Sequence, residues 1–392
     1  MDLHDALSSN SSLSVCADFI NGSDSGKSVK RDKIYTLQII LTNDCNLHCK
    51  YCYVRRDVLR AISIDTAKKA ILSMIEKYPP SDWMYDLCFM GGEPLVEFNK
   101  IREISEWTWK TFPEIDIQIS APTNGTLLNE SIRTWLNENH ARFSLGLSYD
   151  GDYAQDNNRS NSTSMIDVTF FKNLWPEQPL KMTISENHVD CLAKNIVLMQ
   201  EQGHLISANV ACGEKEWTNE SISEFGRQML ILAQFYIDHP EVTPIDLLNV
   251  DICQVFFRHD QMIRRCGIGF NYDTIDVDGK SYPCHLFSSL ALTSQEINEA
   301  KQYNMGERND FTVDSCKECV LNPICPKCYG MAYLRTGNPF SVDKNVCRLF
   351  KQQIKGACSY QIKRMFRLDS LSNQDHYIIC AIKTIMENLH FE

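Results

Sequence analysis

Tyr35-Thr36-Leu37-Gln38-Ile39-Ile40-Leu41-Thr42 runs directly into Asn43-Asp44-Cys45-Asn46-Leu47-His48-Cys49-Lys50-Tyr51-Cys52. The first half is an apolar, β-branched run of strand length. The second half is a polar loop carrying cysteines at C-x3-C-x2-C spacing. Three thiolates this close together can hold three irons of a four-iron cluster and leave the fourth iron to a non-protein ligand. On spacing alone zinc is the alternative, with His48 as the fourth ligand that a structural zinc site requires.

Outward from this loop, strand-like and helical stretches alternate. Strands are expected at Tyr35–Thr42, Leu87–Met90, Ile115–Ser120, Phe143–Ser148, Leu180–Ile184 and Ile206–Ala211. Helices are expected near 64–78, 99–111, 129–139, 165–174, 188–202 and 219–238, with Ser63 as an N-cap. Six βα units in series imply parallel strands joined by right-handed crossovers. Six are too few for a closed eight-stranded barrel, so the expected fold class is α/β, a partial (β/α)6 barrel. Chemistry in such folds gathers at the C-terminal ends of the strands.

The expected organisation is a flexible arm over 1–32, the barrel over 33–240, a helical bridge over 241–265, a cysteine-rich domain over 266–350 and a helical extension over 351–392. The formal charge of −11 gives no basis for nucleic-acid binding, which needs clustered Lys and Arg. No signal peptide opens the chain, and the longest apolar run, Met229 to Ile237, is interrupted by Gln234 and too short for a membrane span. A cytoplasmic location is expected. In that reducing compartment, 17 cysteines point to metal ligation rather than a disulfide framework.

With Tyr51 as the aromatic residue, C-x3-C-x-(aromatic)-C after a first barrel strand resembles the signature of the radical S-adenosylmethionine (SAM) superfamily. Further segments at later strand ends match it: Gly91-Gly92-Glu93-Pro94 resembles the family's GGE motif, and Thr123-Asn124-Gly125-Thr126 and Ser148-Tyr149-Asp150-Gly151 resemble two more, with Arg159 eight residues past Gly151. The resemblance implies a [4Fe-4S] cluster on Cys45, Cys49 and Cys52 that chelates SAM and cleaves it to a 5′-deoxyadenosyl radical. It also implies SAM contacts from Tyr51, Gly91, Gly92, Glu93, Thr123, Asn124, Ser148 and Arg159. A carboxylate suits SAM's ammonium, and a guanidinium suits its carboxylate.

Cys266, Cys284, Cys316, Cys319, Cys325, Cys328 and Cys347 form a second array, with C-x12-G-x4-C around Gly279 and then C-x2-C-x5-C-x2-C. Alone, paired C-x2-C units would suggest a zinc ribbon. The whole array resembles the SPASM extension of radical SAM enzymes, which implies two auxiliary [4Fe-4S] clusters and three clusters in all. Following the family's interleaving, Cys316, Cys319, Cys325 and Cys347 hold the distal cluster. Cys266, Cys284 and Cys328 hold the nearer one, one ligand short. The vacancy is open to substrate or filled by Cys253 or another residue.

The resemblance implies an enzyme that matures a ribosomally made precursor peptide, served by a low-potential electron donor of the flavodoxin or ferredoxin type. The expected product is an intramolecular crosslink, thioether ahead of carbon–carbon. Formylglycine formation in sulfatases is the alternative. That branch has Asp after the second SPASM cysteine, where this chain has His285, a candidate to move a proton. A non-catalytic iron–sulfur or zinc scaffold is the third reading, and the SAM-site segments argue against it. Only 44 residues precede Cys45, too few for a fused leader-binding domain, so a separate leader-binding protein, the arm or the extension is expected to capture the precursor.

Overall fold

The computed structural model describes residues 34–57, 59–212, 217–256, 266–305 and 316–389. The expected arm over 1–32 lies outside them. β1 (Ile34–Thr42) pairs in parallel with β2 (Met84–Gly91), β2 with β3 (Ile117–Thr123), and β3 with β4 (Phe143–Leu147). β5 (Leu180–Ile184) and β6 (Ile206–Val210) form a separate parallel pair. A bridge between Ser148 and Lys181 joins that pair to the end of β4. The six expected strands are thus present in spatial order, with an opening between the fourth and fifth.

The strands are buried on alternate residues or throughout, as parallel strands covered by helices must be. Leu37, Ile39, Leu41, Leu87, Phe89, Ile119 and Phe143 lie in one continuous core. The crossover helices are α1 (Ile64–Lys77), α2 (Phe98–Thr111), α3 (Glu130–Asn139), a short α4 (Gln155–Asn158), α5 (Val168–Leu174), α6 (Leu192–Glu201) and α7 (Asn219–Asp238). Ser63 caps α1, accepting from the Thr66 amide at 3.1 Å. No helix is long and apolar enough to cross a membrane among the described residues.

Three features depart from expectation. β7 (Tyr272–Ile275) lies in the cysteine-rich region yet pairs in parallel with the outer edge of β1, and β8 (Ser281–Tyr282) pairs with β7. Residues 241–256 contain turns and a single 3-10 turn, Ile252–Phe256, instead of an α-helix. There Pro244 interrupts helical hydrogen bonding, and Ile245 and Leu248 anchor the backbone by burial. Residues 257–265 of that bridge lie outside the described set.

The third departure concerns the boundary at 350/351, which falls inside one continuous helix. After α8 (Ser294–Ala300) and α9 (Tyr329–Thr336), α10 (Lys344–Met365) carries Cys347 in its first turn and packs along α7. α11 (Asn373–Asn388) buries Ile378, Ile382 and Ile385 against Ile252, Phe350 and Ile354. The extension is a docked structural element.

Candidate active site

The cluster loop leaves β1 and is pinned from three sides. Asp44 amide donates to Thr42 Oγ1 at 3.0 Å, and Cys45 amide to Asp44 Oδ1 at 2.8 Å. Lys50 amide donates to Asn158 carbonyl at 3.0 Å, and His48 amide to Ser160 Oγ at 2.9 Å. Cys45 and Cys49 are partly covered and Cys52 is exposed. Burial pushes the Cys49 thiol up to about 11. A thiolate there needs a cationic centre bound to it, and a metal core supplies one. His48 is exposed and its Nδ1 lies 3.1 Å from Arg56 Nη1. The Arg56 guanidinium also reaches Cys52 Sγ at 4.0 Å.

The Gly-Gly-Glu segment packs on this loop through its backbone. Gly92 amide donates to Thr42 carbonyl at 2.9 Å and Glu93 amide to Asp44 carbonyl at 2.8 Å. A Cβ on Gly91 would sit 2.2 Å from Thr42 O, and one on Gly92 would sit 2.2 Å from Asp44 O. The two glycines therefore serve the approach of two protein backbones. Glu93 is 1% exposed. Its Oε1 accepts from Leu95 amide at 3.0 Å and Thr123 Oγ1 at 2.9 Å, and its Oε2 accepts from Asn124 amide at 2.7 Å. Burial raises its carboxyl to about 7 against the pull of those bonds. One acceptor position on Oε2 remains for a cation.

Asn124 extends the network back to the cysteines. Its Nδ2 donates to Asn46 Oδ1 at 2.9 Å and reaches Cys45 Sγ at 4.0 Å, while Asn46 Nδ2 donates to Thr126 Oγ1 at 2.7 Å. The segment after β4 closes the ring from the other side. Ser148 continues that strand, its amide donating to Thr123 carbonyl at 2.8 Å.

Asp150, which motif reading did not single out, is the hub. It is fully buried and accepts from Tyr51 hydroxyl at 2.6 Å, Asn158 Nδ2 at 3.2 Å and Thr183 amide at 3.0 Å. Arg159 Nε forms an ion pair with its Oδ1 at 3.0 Å, and the guanidinium lies 5.3 Å from the Tyr51 ring centroid. The geometry of that pair is electrostatic contact, not an aligned hydrogen bond. A buried carboxylate with four partners is the sequence signal for a structural hub only once its neighbours are known.

In the second array, Cys316, Cys319, Cys325 and Cys347 line one cavity, with Cys328 on the same wall. Burial pushes Cys325 up to about 12, and the thiols of Cys347, Cys316 and Cys319 add to that shift. These four thiols are partly covered and share that cavity. Cys266, Cys284 and Cys328 are neighbours too: Cys284 is raised to about 12 by burial, with Cys328 and Cys266 adding to it. Cys328 caps the N-terminus of α9, accepting from Met331 amide at 3.5 Å. That terminus favours a thiolate. Cys253 lies elsewhere, packed in the apolar cluster around Ile252 and Phe350.

His285 faces the barrel. Its Nδ1 is 3.0 Å from Gln38 Oε1, which also accepts from Thr274 Oγ1 at 3.1 Å. Its ring lies 5.7 Å from that of Tyr53. Burial lowers its imidazole to about 4, so it is neutral at pH 7. Burial raises the Tyr53 hydroxyl, and the thiols of Cys212, Cys52, Cys284 and Cys328 add to that shift. The Tyr53–His285 contact thus joins the residue that follows Cys52 to the residue that follows Cys284.

The radical SAM superfamily profile matches residues 39–166, which span the cluster loop through Arg159. A cysteine-type anaerobic sulfatase-maturating enzyme of Clostridium perfringens is 31% identical over 320 residues, 72% of this chain and 85% of that protein. The chain belongs to the radical SAM superfamily. The radical SAM cyclopropyl synthase TigE of Paramaledivibacter caminithermalis is similar to this radical SAM enzyme over 372 residues at 21% identity, covering 86% of this chain and 76% of that protein. The solved structure of anSMEcpe with bound AdoMet and a Kp18Cys peptide shares its fold, with a TM-score of 0.61 at 19% identity over 82% of this chain and 97% of that one.

As a radical SAM enzyme the protein uses SAM and a [4Fe-4S] cluster, and the thiols of Cys45, Cys49 and Cys52 fit that cluster. When bound, the pair supplies a 5′-deoxyadenosyl radical. The residues here pin the loop by hydrogen bonds and present one carboxylate and one guanidinium beside it.

Proposed function

We propose that this enzyme matures a ribosomally made precursor peptide by installing an intramolecular crosslink. The observation that carries the reading is the Tyr53–His285 contact, which joins the residue after Cys52 to the residue after Cys284. A peptide side chain there would lie between the source of the radical and an electron acceptor. The radical takes one hydrogen atom from the peptide. Closing the new bond releases a proton and one electron, and the electron passes to the auxiliary site. His285, neutral and oriented by Gln38, is placed to take that proton. The likeness to TigE over most of the chain and the peptide bound to anSMEcpe support a peptide substrate.

This reading includes two auxiliary clusters on the seven cysteines from Cys266 to Cys347, a low-potential flavodoxin- or ferredoxin-type donor, a separate leader-binding protein and a cytoplasmic site of action. SAM is held through Glu93, Arg159, Tyr51, Thr123, Asn124, Ser148 and the Gly91-Gly92 turn. A thioether is the expected crosslink only if one iron of the nearer auxiliary cluster is open to a peptide thiol.

Formylglycine formation is the second reading, favoured by the 31% identity to a sulfatase-maturating enzyme. The deciding experiment incubates the reconstituted enzyme with SAM, a low-potential reductant and the candidate precursor, in parallel with a Cys-x-Pro-x-Arg peptide. A precursor lighter by about two hydrogens per modification supports crosslinking. Aldehyde formation on the second peptide alone replaces it with the formylglycine reading. Cysteines that still alkylate after the mass loss exclude a thioether.

A further inference from the structure

We propose that Cys212 is the fourth protein ligand of the nearer auxiliary cluster, completing Cys266, Cys284 and Cys328 from the end of β6. The inference rests on the iron–sulfur reading of the second array, not on the identity of the peptide product.

Three observations place it there. The Cys212 thiol hydrogen-bonds the sulfur of Cys328, and Cys284 is close enough to act on it electrostatically. Its position is fixed by the barrel: Ala211 amide donates to Ile184 carbonyl at 2.9 Å, which holds the end of β6 in register beside β5. The surroundings also favour a thiolate. Arg335 acts on Cys212, and its guanidinium is buried with Asp343 at 2.9 Å, while the N-terminus of α9 faces Cys328. On cluster binding each sulfur gives up any proton it carries to solvent and binds a different iron.

Cys253 does not meet these conditions: it packs on the apolar cluster that Cys319 and Cys325 of the distal group also touch, and Asp251 acts on it. With Cys212 in place the four-thiolate set is complete and no iron remains for a peptide thiol. The cluster then serves as an electron acceptor, and a thioether formed by coordinating the substrate sulfur is disfavoured against a carbon–carbon bond.

The test uses full-length Cys45→Ala/Cys49→Ala/Cys52→Ala protein, so that only auxiliary iron is read. This parent should hold about eight irons per chain, and tightly bound zinc or an absence of iron would overturn the array itself. Adding Cys212→Ala should produce, on mild anaerobic oxidation, the near-isotropic EPR signal of a three-iron cluster and the loss of about one iron per chain. Cys284→Ala should behave alike and Cys253→Ala should match the parent. Cys212→Ser, which keeps the size of the side chain, should retain the iron but change the EPR spectrum of the reduced cluster. Parent-like iron content and spectra in both Cys212 variants, or the three-iron signal appearing in Cys253→Ala instead, would overturn the assignment.

Discussion

The Tyr51 hydroxyl donates to Asp150 Oδ2 at 2.6 Å, tying the cluster loop to the segment that follows β4. Arg159 lies on the opposite side of the same carboxylate at 3.0 Å. The aromatic residue between the second and third cluster cysteines therefore positions the guanidinium proposed to grip SAM.

Asp150→Asn should be more damaging than Tyr51→Phe. The first leaves the Arg159 cation buried without its counter-charge, a loss of about 3–5 kcal/mol. The second removes one hydrogen bond to a buried carboxylate, about 1.5–3 kcal/mol. Anaerobic thermal unfolding should rank the melting points as wild type, Tyr51→Phe, Asp150→Asn. Equal melting points for wild type and Asp150→Asn would remove the hub.

The proposed contact of Glu93 with SAM's ammonium should make SAM affinity pH-dependent. Burial raises its carboxyl to about 7, so it is largely protonated below that value and anionic above it. Only the anion attracts SAM's ammonium. Binding should strengthen as pH rises through 7, and Glu93→Gln should be flat and about ten- to a hundred-fold weaker at pH 8. Titration calorimetry at fixed ionic strength gives the profile, and a flat wild-type curve would take Glu93 out of the SAM site.

Gly92→Ala should strip the SAM-cleaving cluster while sparing the auxiliary iron. Its Cβ meets Asp44 carbonyl at 2.2 Å, and a backbone atom cannot swing away as a side chain can. Iron should fall by about four per chain. Retention of full iron and SAM cleavage would show that the loop yields at no cost.

His285→Gln should separate radical formation from product formation. Iron content and uncoupled SAM cleavage should persist, while peptide modification slows by about a hundred-fold or more if the imidazole moves a proton. A proportional loss of both activities would reduce His285 to a packing role.

Much of the barrel and its loop was legible because the signals are local. Cys45, Cys49 and Cys52 share one loop, and Gly91-Gly92-Glu93 and Thr123-Asn124 sit where strand ends must be. Gly91 and Gly92, expected as SAM contacts, also make room for Thr42 and Asp44. That contact joins adjacent strands and leaves no trace in either segment. Asp150 was passed over because an aspartate in a turn is usually solvated, and its four partners come from three separate stretches, around Tyr51, Asn158–Arg159 and Thr183. Cys212 has no spacing relation to the second array. The rule that strand ends carry chemistry could have found it, since it follows the expected strand Ile206–Ala211 directly. β7 was missed because Tyr272–Ile275 is four residues long and its pairing partner lies at the other end of the barrel sequence.

That last pairing bears on how the protein is made. Thr274 and Gln38 meet across a separation of 236 residues. As the chain leaves the ribosome, β1 has β2 on one flank, and its partner on the other, β7, follows only after Tyr272–Ile275 has been translated. An unpaired strand edge of this kind recruits other chains, and contacts so distant in sequence form late. Metal delivery should therefore follow release of the finished polypeptide, and a prematurely terminated chain would present its cysteine loop beside an adhesive edge.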